Sequence, residues 1–431
     1  DLRNEALRDR HWSQLMDQIG KTFDPQGEDF TLAKVVDLGL PNYGDLVSTL
    51  SNSASKELMV ERAVTSLEET WGAMDLDIQK YKSDYLKLRS ADDVFAALED
   101  NVVTLSTMKA SKFALSFMPE LEKWEATLAL VSETVESVLN VQRAWMYLEN
   151  IFVGSEDIRK QLPAESKMFD NVNMTWRAVM KQLQAELNVV KGCQVDGMLN
   201  TLNDMESKLE KIQKSLDQYL ETKRQAFPRF YFISNDDLLE ILGQAREPQA
   251  VQPHLKKCFE AIKTLRMEPP GKDGRRNYEA FGMNSPDGEY AAFHTQMVID
   301  GPVETWLLEV ENMMRVSMKK TLNATLLGVK GAKREKWVND FPGQLLITAG
   351  QMVWTTECEK GLLECEKGNK TAMRLVKKKQ VSMLNKYAEM VRGQLSKLNR
   401  NKVVAIITIE VHARDVIDKM IKNGTQALHD F

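Results

Sequence analysis

The chain has 431 residues, of which 43% are hydrophobic and 28% charged, with 22 Met and only 12 Pro. That balance excludes an unfolded chain and favours helices over strands. A net charge of −5 weighs against nucleic acid as the main ligand, because phosphate binding draws on clustered Lys and Arg. Four cysteines stand apart with no CxxC, as expected for reduced thiols in a reducing compartment. No apolar run reaches membrane-spanning length and no signal peptide is visible. The chain opens on Asp1, inside what reads as a helix, and stops at "ALHDF", so it reads as a piece of a larger protein.

In chain order, the first clear seam is Val60, Val64, Leu67, Trp71, Met74, Ile78 and Tyr81, at alternating steps of four and three. Leu121, Trp124, Leu128, Val131, Val135 and Val138 repeat the pattern, with Pro119 in the first turn. Each seam places one apolar stripe toward a partner helix. A third long helix is predicted from about Asp196 to Arg224, with Leu199, Leu202, Leu209, Ile212, Leu216 and Tyr219 inward. Its span is roughly 40 Å at the α-helical rise.

"FPRFYFISNDDLLEILGQA" (227–245) breaks this regime. Pro228 cannot continue a helix interior and pushes Phe227 toward extended geometry. The reading is a packed corner: a short, buried, extended piece from Phe230 to Ile233, then a new helix. Ser234 is its N-cap, Leu238, Ile241 and Leu242 its stripe, and Gly243 its end. Phe227, Pro228, Phe230, Phe232, Leu238 and Ile241 are the residues expected to form the corner. A hinge is expected near 188–235, with a rigid corner as the alternative.

After Pro248 and Pro253 a helix resumes with Leu255, Phe259 and Ile262 inward. "EPPGKDGRR" (268–276) is a loop, and 277–293 a β-hairpin turning at Ser285-Pro286-Asp287-Gly288. Further helices carry Trp306, Val310, Met313 and Ser317, then Ile347, Gln351, Trp354 and Cys358, then Leu384, Tyr387, Val391, Leu395 and Leu398. "KVVAIITIEV" (402–411) is β-branched but unbracketed by turns, and is placed as helix. The predicted fold is mainly α: an elongated array of helical bundles with one small β-hairpin, divided into 1–245 and 246–431.

Catalytic motifs are missing. Gly368-Asn369-Lys370-Thr371 is not a phosphate loop, since Asn369 intrudes and Glu364 and Glu366 would repel phosphate. No GxSxG or HExxH occurs, and none of the five histidines has a His or Cys at ligand spacing. Cys358 and Cys365 share a helix face and read as core. "KGAKREK" (330–336), in an expected loop, and Lys377–Lys379 read as solvated basic faces, with docking to an acidic surface as the other option.

Several strings taken together resemble one family. "FPRFYFISNDDLLEILGQA" is similar to the linker region of dynein heavy chains. So are "RHWSQL" (10–15), "WMYLENIFVGSEDIRKQLPAESKMF" (145–169), "MNSPDGE" (283–289), "VETWLLEVENMM" (303–314), "FPGQ" (341–344), "VWTTECE" (353–359) and "VHARDVI" (411–417), in family order. "LENIF", "QLPAE" and "SNDDLLEILGQ" resemble axonemal more than cytoplasmic dyneins. The resemblance implies a mechanical linker that amplifies ATP-driven changes of an AAA+ ring into microtubule-based movement, and ciliary or flagellar beating if axonemal. It implies ATP and Mg in that ring, beyond residue 431, with no cofactor, metal or catalysis in this segment. It also implies as partners the ring of the same chain, a tail with intermediate and light chains, and a microtubule reached only through a stalk outside this segment. Neither nucleic acid nor membrane is expected. The location would be the cytoplasmic cytoskeleton, in the axoneme of a cilium or flagellum. A non-motor helical scaffold of the cytoskeleton is the competing function.

Overall fold

The computed structural model describes all residues except 83, 245–246, 272–276, 332, 426 and 428–431, and only the backbone at 330 and 331. The expected boundary at 245/246, most of the 268–276 loop and the terminal "HDF" thus lie outside the described residues. The fold is mainly α and divides into two compact units, Asp1–Leu216 and Asp217–Phe431.

In the first unit, residues 1–7 form turns rather than the expected helix, and α1 spans Asp9–Ile19. It packs with α2 (Gly44–Ala73) around Leu15, Leu38, Leu40, Val47 and Leu50, flanked by stacked Phe23 and Phe30 with Trp12 edge-on. Val60, Val64, Leu67 and Trp71 are buried as their spacing predicts. The seam does not continue as helix to Tyr81. Helix α2 stops at Ala73, and Ile78 and Tyr81 lie in β1 (Ile78–Tyr81), antiparallel to β2 (Tyr85–Leu88).

The cause is a residue far along the chain. Asn188 Nδ2 donates to the carbonyls of Trp71, Gly72 and Met74 at 2.9, 3.2 and 3.2 Å. Its Oδ1 accepts from Lys191 N at 3.2 Å, capping the short helix Val189–Cys193. Carbonyls that a longer helix would have satisfied internally are therefore met from outside.

Helix α3 (Asp92–Lys109) leads to the 35-residue α4 (Met118–Phe152), which buries Leu121, Leu128, Val131, Val135 and Val138 and half-buries Trp124. Its Gln142 side chain brackets β2, accepting from Leu88 N at 2.7 Å and donating to Leu88 O at 2.9 Å. Helix α5 (Pro163–Ala185) stacks Phe169 on Phe152 and sets Trp176 beside Trp145. Helix α6 (Met198–Ala226) keeps Leu202, Leu209, Ile212 and Leu216 buried; Leu199 and Tyr219 are half-buried, with Met198, Met205 and Leu220 filling the stripe.

The second unit begins within α6. Its next elements are a one-turn 3₁₀ helix (Pro228–Phe232), α7 (Asn235–Gly243) and two short turns of helix, Pro248–Val251 and Leu255–Cys258. The helix predicted through Ile262 ends at Cys258. Phe259 turns extended, and it and Ile262 are buried from outside a helix. The hairpin belongs to a three-stranded antiparallel sheet: β3 (Thr264–Glu268), β4 (Tyr278–Asn284) and β5 (Tyr290–Ile299), in that order. One small hairpin therefore understates the β content, since β1–β2 is a second sheet. An unpaired β4 edge would leave backbone groups unmet, and β3 covers it. Gly282 is required in β4, because a Cβ there would stand 2.6 Å from Ala291 O.

Helices α8 (Val303–Gly331), α9 (Arg334–Asp340), α10 (Gly343–Glu366), α11 (Ala372–Arg392) and α12 (Lys397–Asn423) complete the unit. "KVVAIITIEV" lies inside α12, as helix. Leu395 and Leu398 do not extend α11. Gly393 ends it, and Ser396 accepts from Asn399 N at 3.2 Å to cap α12. Arg334–Lys336 of the basic cluster read as loop are the first turn of α9. One core joins Trp337, Val338, Leu346, Tyr387, Val403 and Ile406. Another holds Cys358, Leu362, Cys365, Met373, Ile417 and Met420. Burial pushes the Cys358 thiol up to about 12, which suits an inert core thiol.

Candidate functional site

Two clusters bring together some of the segments that carry the family-like strings, those at 227–245 and 303–314 and those at 283–289 and 341–344, and both are in the second unit. The first is the aromatic corner. Phe227 is extended, Pro228 starts the 3₁₀ turn, and Phe227 meets Phe230 edge-to-face at 4.9 Å, with Phe259 alongside at 6.2 Å. Phe227, Phe230, Leu238 and Ile241 are fully buried.

The extended piece predicted from Phe230 is instead 3₁₀, and Phe232 is not part of the buried corner: it is 83% exposed. A 3₁₀ helix repeats every three residues. Phe227, Phe230 and Ile233 therefore share the inner face, while Tyr231 and Phe232 fall outside. Tyr231 donates its hydroxyl to Glu221 at 2.7 Å. Ser234 caps α7, accepting from Asp237 N at 3.2 Å.

Charges lock this corner to α8. Arg229 Nε donates to Glu311 Oε2 at 3.0 Å, and its guanidinium lies 4.8 Å above the Phe259 ring. Lys223 Nζ donates to Glu304 at 2.5 Å. Arg224 reaches Asn235 Oδ1 at 2.7 Å and the carbonyls of Phe230 and Ile233. Glu304 and Glu311 are both buried, two turns apart on the face that buries Val303, Trp306, Leu307 and Val310. The Arg229 hydrogen bond holds the Glu311 carboxyl below its usual 4.5.

The second cluster centres on Lys402, which is 8% exposed. Its Nζ donates to Glu289 Oε1 at 2.7 Å and to Phe341 O at 2.9 Å. The same Glu289 oxygen accepts from Gly343 N at 3.0 Å, at the start of α10. The β4–β5 turn, the "FPG" entry to α10 and the first turns of α12 thus meet at one buried cation.

None of Arg229, Glu311, Lys223, Glu304, Glu289 or Lys402 stands out in sequence as a site residue. The available signal was phase: Glu304 and Glu311 are acids at buried positions of an apolar stripe.

His254 lies near Asp237 and Glu240, a grouping that a search for His–His or His–Cys spacing misses. Lys257 Nζ already pairs with Asp237 at 2.6 Å, so the chain supplies the positive charge there. Gly368–Thr371 is the turn between α10 and α11, where Asn369 Oδ1 accepts from both the amide and hydroxyl of Thr371. Lys377 and Lys379 pair with Asp418 and Glu357. Among the described residues no helix is long and apolar enough to cross a membrane.

These features define a mainly α-helical protein whose distant segments are fastened by buried ion pairs. Residues 1–325 match the family model described as dynein heavy chain, N-terminal region 2. The chain is 53% identical over its whole length to the dynein-1-beta heavy chain of the flagellar inner arm I1 complex of Chlamydomonas reinhardtii, and 50% identical to human dynein axonemal heavy chain 2. Human dynein axonemal heavy chain 9 is 37% identical over 98% of the chain. The protein belongs to the dynein heavy chain family, and these relatives are axonemal or flagellar. The chain spans about a tenth of the length of the first two relatives and 9% of the third.

Proposed function

We propose that this chain is the mechanical linker of an axonemal dynein heavy chain. It is proposed to carry ATP-driven changes of an AAA+ ring into microtubule-based movement in a cilium or flagellum. ATP and Mg act in the ring, the microtubule is held through a stalk, and the tail joins intermediate and light chains; all lie outside these residues. Within the linker, 1–245 and 246–431 serve as N-terminal and C-terminal parts; of the two options for 188–235, a hinge or a rigid corner, the ion pairs of Lys223 and Arg229 favour a rigid corner at its C-terminal end, which leaves any bending to the stretch before Lys223.

The observation that carries this reading is the pair of buried ion bridges, Arg229–Glu311 and Lys223–Glu304, tying the aromatic corner to α8. A lever must keep its internal geometry under load. Directional charge pairs inside a packed aromatic joint resist sliding more than apolar contacts alone.

The test is a distance between fluorophores at Leu32 and Lys419, both exposed, in the intact heavy chain. The expected result is a change between the ATP-bound and nucleotide-free states. One distance in every nucleotide state overturns the lever reading and favours a static scaffold.

A further inference from the structure

Residues 370–402 contain ten Lys or Arg and a single acid, Glu389, a net charge of +9 in a chain whose total is −5. The rest of the chain therefore carries −14. Three of the ten cations are engaged internally: Lys377 with Asp418, Lys379 with Glu357 and Lys402 with Glu289. Arg374, Lys378, Lys386 and Arg392 on α11, and Lys397 and Arg400 at the start of α12, are exposed. Among the described residues no carboxylate forms an ion pair with any of these six. The helical turn places the four on α11 within about a third of the helix circumference. Leu375, 62% exposed, lies in the same sector, as does Glu389. From Arg374 to Arg392 the stripe is about 27 Å long at the α-helical rise. Arg400 donates to the carbonyls of Val391 and Gly393, which sets it at the Arg392 end of the stripe.

We propose that this stripe docks an extended segment of a polypeptide partner rich in Glu or Asp. Arg374 and Lys378 are like charges one helical turn apart, an arrangement that repels until a counter-charge arrives. Six exposed cations against one acid leave that counter-charge to come from outside, and complementary charge is what steers and orients a partner. About eight residues of extended chain span the stripe. Nucleic acid fits less well. No exposed aromatic lies on this face for a base to stack on, and the −14 of the other residues repels a long polyanion more than a short segment. Leu375 also offers an aliphatic side chain a contact that a sugar-phosphate backbone does not use. A membrane would need a row of exposed apolar residues, and Leu375 is alone on this face. The stripe would bind such a segment whether or not the protein works as a lever.

The experiment uses the full heavy chain and a fluorescein-labelled peptide, Glu-Glu-Glu-Leu-Glu-Glu-Glu-Glu-amide, read by anisotropy. Its counterpart carries Gln at every Glu. The Glu peptide is expected to bind, and the Gln peptide to bind at least about tenfold more weakly, the scale of four exposed ion pairs acting together. Joint replacement of the four α11 cations, Arg374→Gln, Lys378→Gln, Lys386→Gln and Arg392→Gln, changes only exposed positions and should lower Glu-peptide affinity by about the same factor. A control set with the same loss of charge, Lys123→Gln, Lys181→Gln, Lys211→Gln and Lys214→Gln, is also exposed and lies in the first unit; it should leave binding within about twofold. Equal binding of the Glu and Gln peptides, or equal losses from the two sets of substitutions, overturns the docking stripe. A 20-base-pair DNA duplex, or phosphatidylserine vesicles, held through the same four residues more tightly than the peptide overturns the polypeptide occupant.

Discussion

Lys402 on α12 reaches Glu289 in the β4–β5 turn at 2.7 Å, 113 positions away in sequence, with both groups largely out of solvent. Removing one partner leaves the other charge buried and alone. Lys402→Met is expected to destabilise the second unit by about 3 kcal/mol, and restoring neutrality with Glu289→Gln in the same chain should recover part of that. Denaturant unfolding followed by the emission of Trp337 measures it. A loss under about 0.5 kcal/mol would mean the pair is solvent-screened rather than structural.

Phe230 and Phe232 are two residues apart and face opposite ways. Phe230→Ala removes a fully buried ring and should cost about 3–5 kcal/mol. Phe232→Ala, at an exposed position, should stay within about 0.5 kcal/mol. Comparable losses at both positions would contradict the 3₁₀ geometry of the corner.

Glu311 sets a pH dependence. Its folded carboxyl titrates below the ordinary 4.5 because Arg229 hydrogen-bonds the ionised form. The stability this contributes is present above about 4.5 and is lost as pH falls through the depressed folded value. Arg229→Met should therefore be less stable than the parent by about 2–3 kcal/mol at neutral pH, with the gap narrowing in acid. A gap that stays constant from neutral pH to pH 3 would show that Arg229 acts through packing on Phe259 alone.

Asn188 closes the end of α2 and starts the next short helix. Asn188→Ala should cost about 1–3 kcal/mol, since the carbonyls of Trp71, Gly72 and Met74 lose a donor in a buried setting. The effect should be local: faster amide hydrogen exchange in residues 74–78 and 189–192. Exchange unchanged in both stretches would argue that water replaces the side chain without loss.

Much of the helical framework was readable from spacing. Leu121, Leu128, Val131, Val135 and Val138 repeat at helical steps and are all buried on α4, because a long amphipathic helix shows its inner face through its own period. Pro228 marked the end of α6 and Ser234 the start of α7, since both act on the backbone within a few residues. Where a partner came from elsewhere, spacing misled. Met74, Ile78 and Tyr81 continue the period of α2 faithfully, yet the helix ends at Ala73 because Asn188 meets its carbonyls. Leu395 and Leu398 continue the period of α11, but Gly393 and the Ser396 cap divide the run.

The strings that resemble dynein heavy chains were visible one at a time, but not what joins them. That Arg229 belongs with Glu311, and Glu289 with Lys402, follows from which surfaces pack together, and no local period records it. By itself the amino-acid order determined the mainly helical class, the break at Pro228 and the family. Those rest on short-range backbone preference and on residue identity, both present in a linear string. Only the tertiary structure decided where α2 stops, which aromatics of the corner face inward, and which charges are buried as pairs. Each of these depends on a partner tens to more than a hundred residues away or, for the ring orientations, on a helical pitch that composition does not reveal.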